Sequence, residues 1–357
     1  MTDVEFTFID TPEKLRKAAD EWKQSKVLGI DIECENNLHH FGAYVAIFQI
    51  STREKNWILD ALQLEDLSPF LEVLTDPDII KIFHDVSFDL RIIRRQYGTQ
   101  VRGLCDTQLM AQFLAMTDLS LGSLLETYFG VKKIKKFQMA DWTKRPLKEE
   151  MLSYAVLDSK YLIPLRDKLE AMLSEKGYLQ WVEEEFIALE DKGFIYGEGT
   201  FSDLRGYGML TDRQRGVLKQ LYFLREQFAQ RLDRPVHFVI STKLLMDIAC
   251  NPPRNVDGWK QMKGVHPLVR AQAQRFFNEV GIGMRKPIPF NPERAKRYSP
   301  QQKAFINRLS LVRDQISEKT GVTKHLILNK DQMHQAALTG KLDSLRGWQM
   351  KLFDGKV

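Results

Sequence analysis

The stretch Leu28-Gly-Ile-Asp-Ile-Glu-Cys-Glu-Asn36 reads as an apolar strand that turns acidic at Asp31 and Glu33. Side chains alternate faces along a strand, so Asp31 and Glu33 project from one side while Ile30 and Ile32 project from the other. At a rise of roughly 3.3 Å per residue, the two carboxylates lie about 6 to 7 Å apart. A strand this apolar belongs in a core, and like charges held there repel unless protons or a cation neutralise them. Hard divalent cations such as Mg²⁺ take oxygen ligands of this kind. An isolated Asp-x-Glu equally describes an edge strand running out into solvent, so the reading depends on further carboxylates.

Outward from this strand the first 200 residues alternate strand and helix patterns. Val27 to Ile32, Val45 to Ile50, Asn56 to Leu59 and Ile79 to Phe83 read as strands, with helices between and after them. That is an α/β plan, in which functional groups gather where strands end and helices begin. After Ile79-Ile-Lys-Ile-Phe83 comes His84-Asp-Val-Ser-Phe-Asp89, whose acids Asp85 and Asp89 are four apart and could share a helix face; Asp85 could also simply cap the helix. Asp106, opening the apolar run Thr107-Gln-Leu-Met, reads as a helix N-cap. Met151 to Leu165 reads as one amphipathic helix with Tyr154 and Asp158 a turn apart; taken alone, the pair also fits a hydroxyl hydrogen bond on a half-buried helix.

The chain has 357 residues, 43% of them hydrophobic and 28% charged, which is globular and long enough for two or three domains. No apolar run approaches the roughly 20 residues of a membrane span, and the acidic start does not read as a signal peptide. Cys34, Cys105 and Cys250 lie far apart without a CxxC pair, so neither a zinc site nor a disulfide framework is expected. A cytoplasmic location follows as the expectation.

The net charge of +5 hides an asymmetry: residues 201–357 carry 28 Lys and Arg against 13 Asp and Glu, whereas residues 1–200 carry 24 against 34. A basic half beside an acidic half suits a polyanion in one part and clustered carboxylates in the other, although basic surfaces also serve solubility alone. Boundaries are expected at the glycine-rich Gly193 to Gly208 and at the Gly- and Pro-rich Gly281 to Pro292. The two segments beyond resemble each other. Residues 221–249 slide onto 309–337 at an offset of 88, with Leu221 on Leu309, Arg225 on Arg313 and His237 on His325; after one inserted residue, Gly258-Trp259 meets Gly347-Trp348. The repeated unit reads as helix, basic turn, short apolar segment, helix, a module that binds nucleic acid or protein.

Asp31-x-Glu33, then Asp89, then Tyr154-x-x-x-Asp158, in that order within one α/β segment, resembles the DEDDy class of 3′→5′ exonucleases. Phe48-Gln-Ile-Ser51, Phe83-His84, Cys105-Asp-Thr107, Gly130-Val131, Ala140-Asp-Trp-Thr-Lys-Arg-Pro-Leu147 and Ser153 to Leu162 are similar to the ribonuclease D family. The tail resembles that family's helicase-and-RNase-D C-terminal (HRDC) modules, in one good and one shorter copy. The resemblance implies an α/β exonuclease domain, with a DnaQ/ribonuclease H-like mixed sheet flanked by helices, followed by all-α HRDC-like modules. The expected bounds are 1–200 for the exonuclease, 208–283 for the HRDC domain and 293–357 for the shorter copy.

It further implies two divalent ions, Mg²⁺ or Mn²⁺: one held chiefly by Asp31, Glu33 and Asp158, the other by Asp31 with Asp89, for which Asp85 is the rival. Tyr154 would orient the attacking water, since a phenol near pKa 10 is a poor base at neutral pH. His84, Lys136, Gln138 and Arg145 are expected to contact RNA, with Lys132 to Lys136 neutralising phosphate or else forming a solvated loop. Phe41, Phe88 and Phe137 could stack on a base, or pack in the core. The implied activity is metal-dependent 3′→5′ trimming of structured RNA, plausibly tRNA precursors, releasing nucleoside 5′-monophosphates, with no organic cofactor and no membrane. Action on DNA ends, and an inactive nucleic-acid-binding scaffold, are the alternatives.

Overall fold

A computed structural model describes residues 4–133, 135–192, 199–290 and 298–356. By internal contacts the chain divides into two units: residues 1–34, 45–196 and 298–357 in one, and 35–44 with 197–297 in the other.

The first unit is organised by a six-stranded mixed sheet of β1 (Thr7–Ile9), β2 (Val27–Asn36), β3 (Ala43–Ser51), β4 (Asn56–Asp60), β5 (Ile80–Phe83) and β6 (Leu104–Asp106), in the order β1-β4-β3-β2-β5-β6. β1 runs parallel to β4, β4 antiparallel to β3, and β5 parallel to both β2 and β6. The four strands expected from the sequence are present. β1 and β6 are additional, and at three residues each they are too short to show an alternation.

Around the sheet lie α1 (Pro12–Lys23), α2 (Ser68–Thr75), α3 (Ser87–Tyr97), α4 (Thr107–Phe113), α5 (Leu121–Phe129), α6 (Glu149–Lys160), α7 (Leu162–Glu175) and α8 (Leu179–Asp191). The single helix expected from Met151 to Leu165 is in fact two. Tyr161, at φ −95° and ψ 0°, ends α6 and precedes α7. Asp85 does not share a helix face with Asp89, because α3 starts at Ser87 and Asp85 sits before it in the left-handed region at φ 61°. Nor does Asp85 cap α3, whose N-cap is Val86. Asp106 does cap α4, accepting from the Gln108 and Leu109 amides.

The second unit contains α9 (Asp212–Leu232), α10 (Val236–Val239), α11 (Thr242–Cys250), α12 (Val256–Lys260), α13 (Pro267–Ala271) and α14 (Ala273–Arg285), packed around Leu221, Phe228, Trp259 and Phe276. The expected break from Gly281 is corrected here, because α14 continues to Arg285. Gly283 lies where α14 crosses α9, and a Cβ there would come 2.5 Å from Val217 Cα. The glycine marks a close helix crossing. Residues 193–198 and 291–297 of the two expected connectors lie outside the described residues.

The repeat is visible in the first unit as α15 (Pro300–Thr320), α16 (Lys324–Ile327), α17 (Lys330–Thr339) and α18 (Gly347–Phe353). α9, α10 and α11 recur as α15, α16 and α17 at the offset of 88, and Thr211 and Ser299 start corresponding helices with capping boxes. This shorter copy joins the exonuclease core: Trp348 stacks on Trp181 at 5.1 Å and meets Phe113 edge-on at 5.3 Å. Its backbone amide donates to Glu184 and its indole Nε1 to Glu185.

Candidate active site

Gly29, Asp31 and Glu33 share one face of β2, and Gly29 allows α6 onto it. A Cβ at Gly29 would come 2.6 Å from the Ser159 carbonyl oxygen. On the neighbouring strand, Ser51 Oγ hydrogen-bonds Ser159 Oγ at 2.7 Å, fixing the same turn of helix. Asp158, 2% exposed, is thereby turned toward the strand acids. One carboxylate oxygen from each of Asp31, Glu33 and Asp158 lies within 4.8 Å of the others. One turn earlier, Tyr154 is buried between Phe137, at 5.6 Å, and Trp142, stacked at 6.4 Å.

Asp89 arrives from the other side of the sheet's middle, in the first turn of α3, and is buried. Its loop is held by Asp106, whose carboxylate accepts the Asp85 amide at 3.0 Å and the Val86 amide at 3.2 Å while also capping α4. Asp85, the rival, is exposed.

Burial pushes the Asp31 carboxyl up to about 6, with Lys133 pulling the other way. Glu33 is raised well above the ordinary carboxylate range by burial and then by Asp31. Asp89 is raised by burial first, then by Asp31, Asp106, Asp85 and Glu33. Burial and the neighbouring Glu33 and Asp31 push the Tyr154 phenol up to about 12, so it is a hydrogen-bond donor at neutral pH. These are the shifts expected of acids gathered for a cation that would reverse them.

The donor set fits a hard divalent ion: the cluster offers only carboxylate oxygens, and they converge from a strand and a helix that packing has fixed. The ammonium of Lys133 contacts Asp158 Oδ1 and stands where a cation is called for.

The remaining expected contacts fare differently. His84 Nε2 faces the Leu119 carbonyl at 2.8 Å and Nδ1 faces the Thr107 hydroxyl at 2.9 Å. Burial lowers its pKa to about 4, so the ring is neutral and both nitrogens are already used inside the fold. Arg145 is likewise engaged: Nε and Nη2 fork onto the buried Asp60 at 2.5 and 2.7 Å, and Nη1 donates to the Trp142 carbonyl. Both side chains expected to contact RNA therefore hold structure; Arg145 pins the turn that presents Trp142 to Tyr154. Lys136 and Gln138 are exposed, with Lys136 paired to Glu150 at 2.7 Å. Phe88 is 36% exposed beside Asp89, while Phe137 packs on Tyr154 and Phe41 on the second unit's core. Sequence reasoning misses Gly29 and Asp60, and it names Lys133 only within the Lys132 to Lys136 run expected to face phosphate. For Gly29 a signal existed, a glycine two residues before the first acid on the same strand face.

Fold and acids together define a 3′→5′ exonuclease domain. Residues 6–174 match the family model described as 3′-5′ exonuclease, and residues 214–280 match the HRDC domain. Residues 6–174 thus belong to the 3′-5′ exonuclease family and residues 214–280 to the HRDC family, in that order along the chain. The chain is similar to the exosome complex exonuclease RRP6 of Saccharomyces cerevisiae, at 29% identity over 316 residues, 83% of this chain and 43% of the relative. It is 26% identical over 361 residues to the ribonuclease D of Pseudomonas paraeruginosa, covering 98% of this chain and 96% of that one. The crystal structure of Escherichia coli RNase D, described as an exoribonuclease involved in structured RNA processing, shares the fold, with a TM-score of 0.74 at 21% identity over 98% of this chain and 99% of that one. The chain spans less than half the length of the exosome relatives it matches. Exonucleases of this family depend on divalent metal. No helix among the described residues is long and apolar enough to cross a membrane.

Proposed function

We propose that this chain is a divalent-metal-dependent 3′→5′ exoribonuclease that trims structured RNA in the cytoplasm, tRNA precursors among its substrates, and releases nucleoside 5′-monophosphates. The observation that carries the reading is the convergence of Asp31, Glu33 and Asp158 within 4.8 Å on the exonuclease fold. Asp31, Glu33 and Asp158 would hold one ion, and Asp31 with Asp89 a second. When bound, two such ions supply Lewis-acid chemistry, making water a competent nucleophile near neutral pH and neutralising charge at the phosphate. Tyr154, protonated and wedged between Phe137 and Trp142, donates a hydrogen bond that orients the attacking water. Lys136 and Gln138 are exposed on the same loop and are assigned to the RNA backbone, and Phe88 to the terminal base. The segments 1–200, 208–283 and 293–357 would act as nuclease, RNA grip and nuclease-bound second copy.

The test is degradation of matched 5′-labelled RNA and DNA single strands with Mg²⁺, Mn²⁺ or EDTA. Stepwise shortening of RNA from its 3′ end is expected, abolished by EDTA and by Asp31→Asn. Tyr154→Phe should slow it about 10²-fold without weakening RNA binding. Faster loss of DNA would replace RNA as substrate, and tight binding without shortening would leave a scaffold.

A further inference from the structure

The basic segment after α5 sends one lysine inward. Lys132 pairs with Glu126 at the surface at 3.5 Å, and Lys136 with Glu150 at 2.7 Å. Lys133 does neither. Its side chain is 16% exposed, its Nζ contacts Asp158 Oδ1, and the ammonium lies 5.1 Å from the centre of the Tyr154 ring. Burial lowers the Lys133 pKa below the ordinary lysine value, and Asp31 and Glu33 pull it part of the way back toward the charged form. An ammonium gives up much hydration to reach such a position, a cost offset only where carboxylates surround it. The carboxylates that surround it are the same three whose oxygens would hold a divalent ion, and two cations of like sign repel strongly at these separations.

We propose that Lys133 is a tethered counter-ion of the catalytic acids: it offsets part of the negative charge of Asp31, Glu33 and Asp158 when no divalent ion is bound, and entry of the ion displaces it outward to the rim of the site. The inference rests on the metal-nuclease reading above. Because the coupling is reciprocal, whatever Lys133 contributes by holding the acids together is subtracted from the protein's affinity for metal. Lys133 is therefore a positioning residue: its loss tightens metal binding, where loss of a ligand weakens it.

The experiment measures Mn²⁺ binding by electron paramagnetic resonance on the full chain, stripped of metal, in wild type, Lys133→Met, Lys133→Arg and Asp31→Asn. Lys133→Met is expected to bind Mn²⁺ on the order of tenfold more tightly than wild type, and Lys133→Arg to stay near wild type. In parallel, acetylation of wild-type lysines followed by mass spectrometry reads exposure without any variant that must fold. Lys133 should react slowly relative to Lys132 without metal and faster once Mn²⁺ is added. Equal or weaker Mn²⁺ affinity in Lys133→Met, or acetylation of Lys133 at a rate Mn²⁺ does not change, overturns the inference alone. Wild-type protein with no Mn²⁺ binding that Asp31→Asn removes would instead overturn the metal reading itself, and the inference with it.

Discussion

Gly29→Ala tests whether the close approach of α6 to β2 builds the acid cluster. The new Cβ would stand 2.6 Å from the Ser159 carbonyl oxygen and 3.1 Å from Leu162 Cβ. Neither side yields cheaply. Gly29 is registered against Ile82 in the parallel β2–β5 ladder, and the Ser159 turn is fixed by the Ser51 hydroxyl at 2.7 Å. Restoring ordinary contact, 3.4 Å or more, moves the α6 backbone by about 0.8 Å away from the strand. Overpacking of this kind costs about 1–3 kcal/mol. Reduced freedom of the unfolded chain returns about 0.4–1 kcal/mol, so the net loss is roughly 1–2 kcal/mol. For a unit of this size that lowers Tm by roughly 2–8 °C. The same displacement carries Asp158 away from Asp31 and Glu33, and a misplacement near 1 Å costs about 10²-fold in rate. The assay is thermal unfolding together with Mn²⁺ affinity and RNA turnover, with Gly122→Ala as control. A Cβ at Gly122 meets only Lys133 Cβ, at 3.6 Å, so that variant should gain about 0.5–1 kcal/mol. Wild-type Tm and wild-type Mn²⁺ affinity in Gly29→Ala would refute the account of how the site is assembled.

Three further outcomes are expected. Asp31 has its pKa raised from the ordinary 3.8 to about 6, so the folded state keeps a proton that the unfolded state releases. Stability of the metal-free protein is fully present below about pH 4 on this account and falls by roughly 3 kcal/mol as pH rises through 6. Glu33 and Asp89, raised in the same direction, extend the loss upward. The Tm gain on adding Mn²⁺ should therefore be larger at about pH 8 than at about pH 5, and a gain independent of pH would contradict the burial of these acids. Asp106→Ala leaves the Asp85, Val86, Gln108 and Leu109 amides without their acceptor and should cost roughly 2–4 kcal/mol, read by denaturant unfolding, with lower Mn²⁺ affinity because Asp89 loses its anchored loop. Trp348→Ala should cost roughly 3–5 kcal/mol and destabilise the nuclease with the tail, because its ring packs on Phe113 and Trp181; an unaltered nuclease transition in calorimetry would show the copy to be an independent module.

The acids were legible because their chemistry is local. Asp31-x-Glu33 needs only strand alternation, and Tyr154-x-x-x-Asp158 only the helical turn. Spacing does not decide between Asp89 and Asp85, and backbone geometry separates them: a left-handed φ of 61° puts Asp85 outside α3, exposed, while Asp89 is buried in its first turn. His84 and Arg145 are expected from the sequence to contact RNA, Arg145 because it follows the basic run Lys132 to Lys136. Their engagement by Leu119, Thr107 and Asp60 is long-range, and nothing in the neighbouring sequence announces it.

Glycine shows the limit of composition most sharply. Composition alone groups Gly281 and Gly283 with the prolines after them as a chain break, yet both lie inside α14, and a Cβ on Gly283 would collide with the backbone of α9. Gly29 reads as an ordinary strand residue, yet it admits the helix that carries Asp158. In both places the residue is required by a partner segment distant in the chain: Val217 in one case, Ser159 in the other. A glycine inside an otherwise periodic segment is thus better read as a site of close backbone approach, even where prolines follow it within a few residues. Applied here, that rule picks out Gly29 and Gly283, and it places a close backbone contact two residues from Asp31.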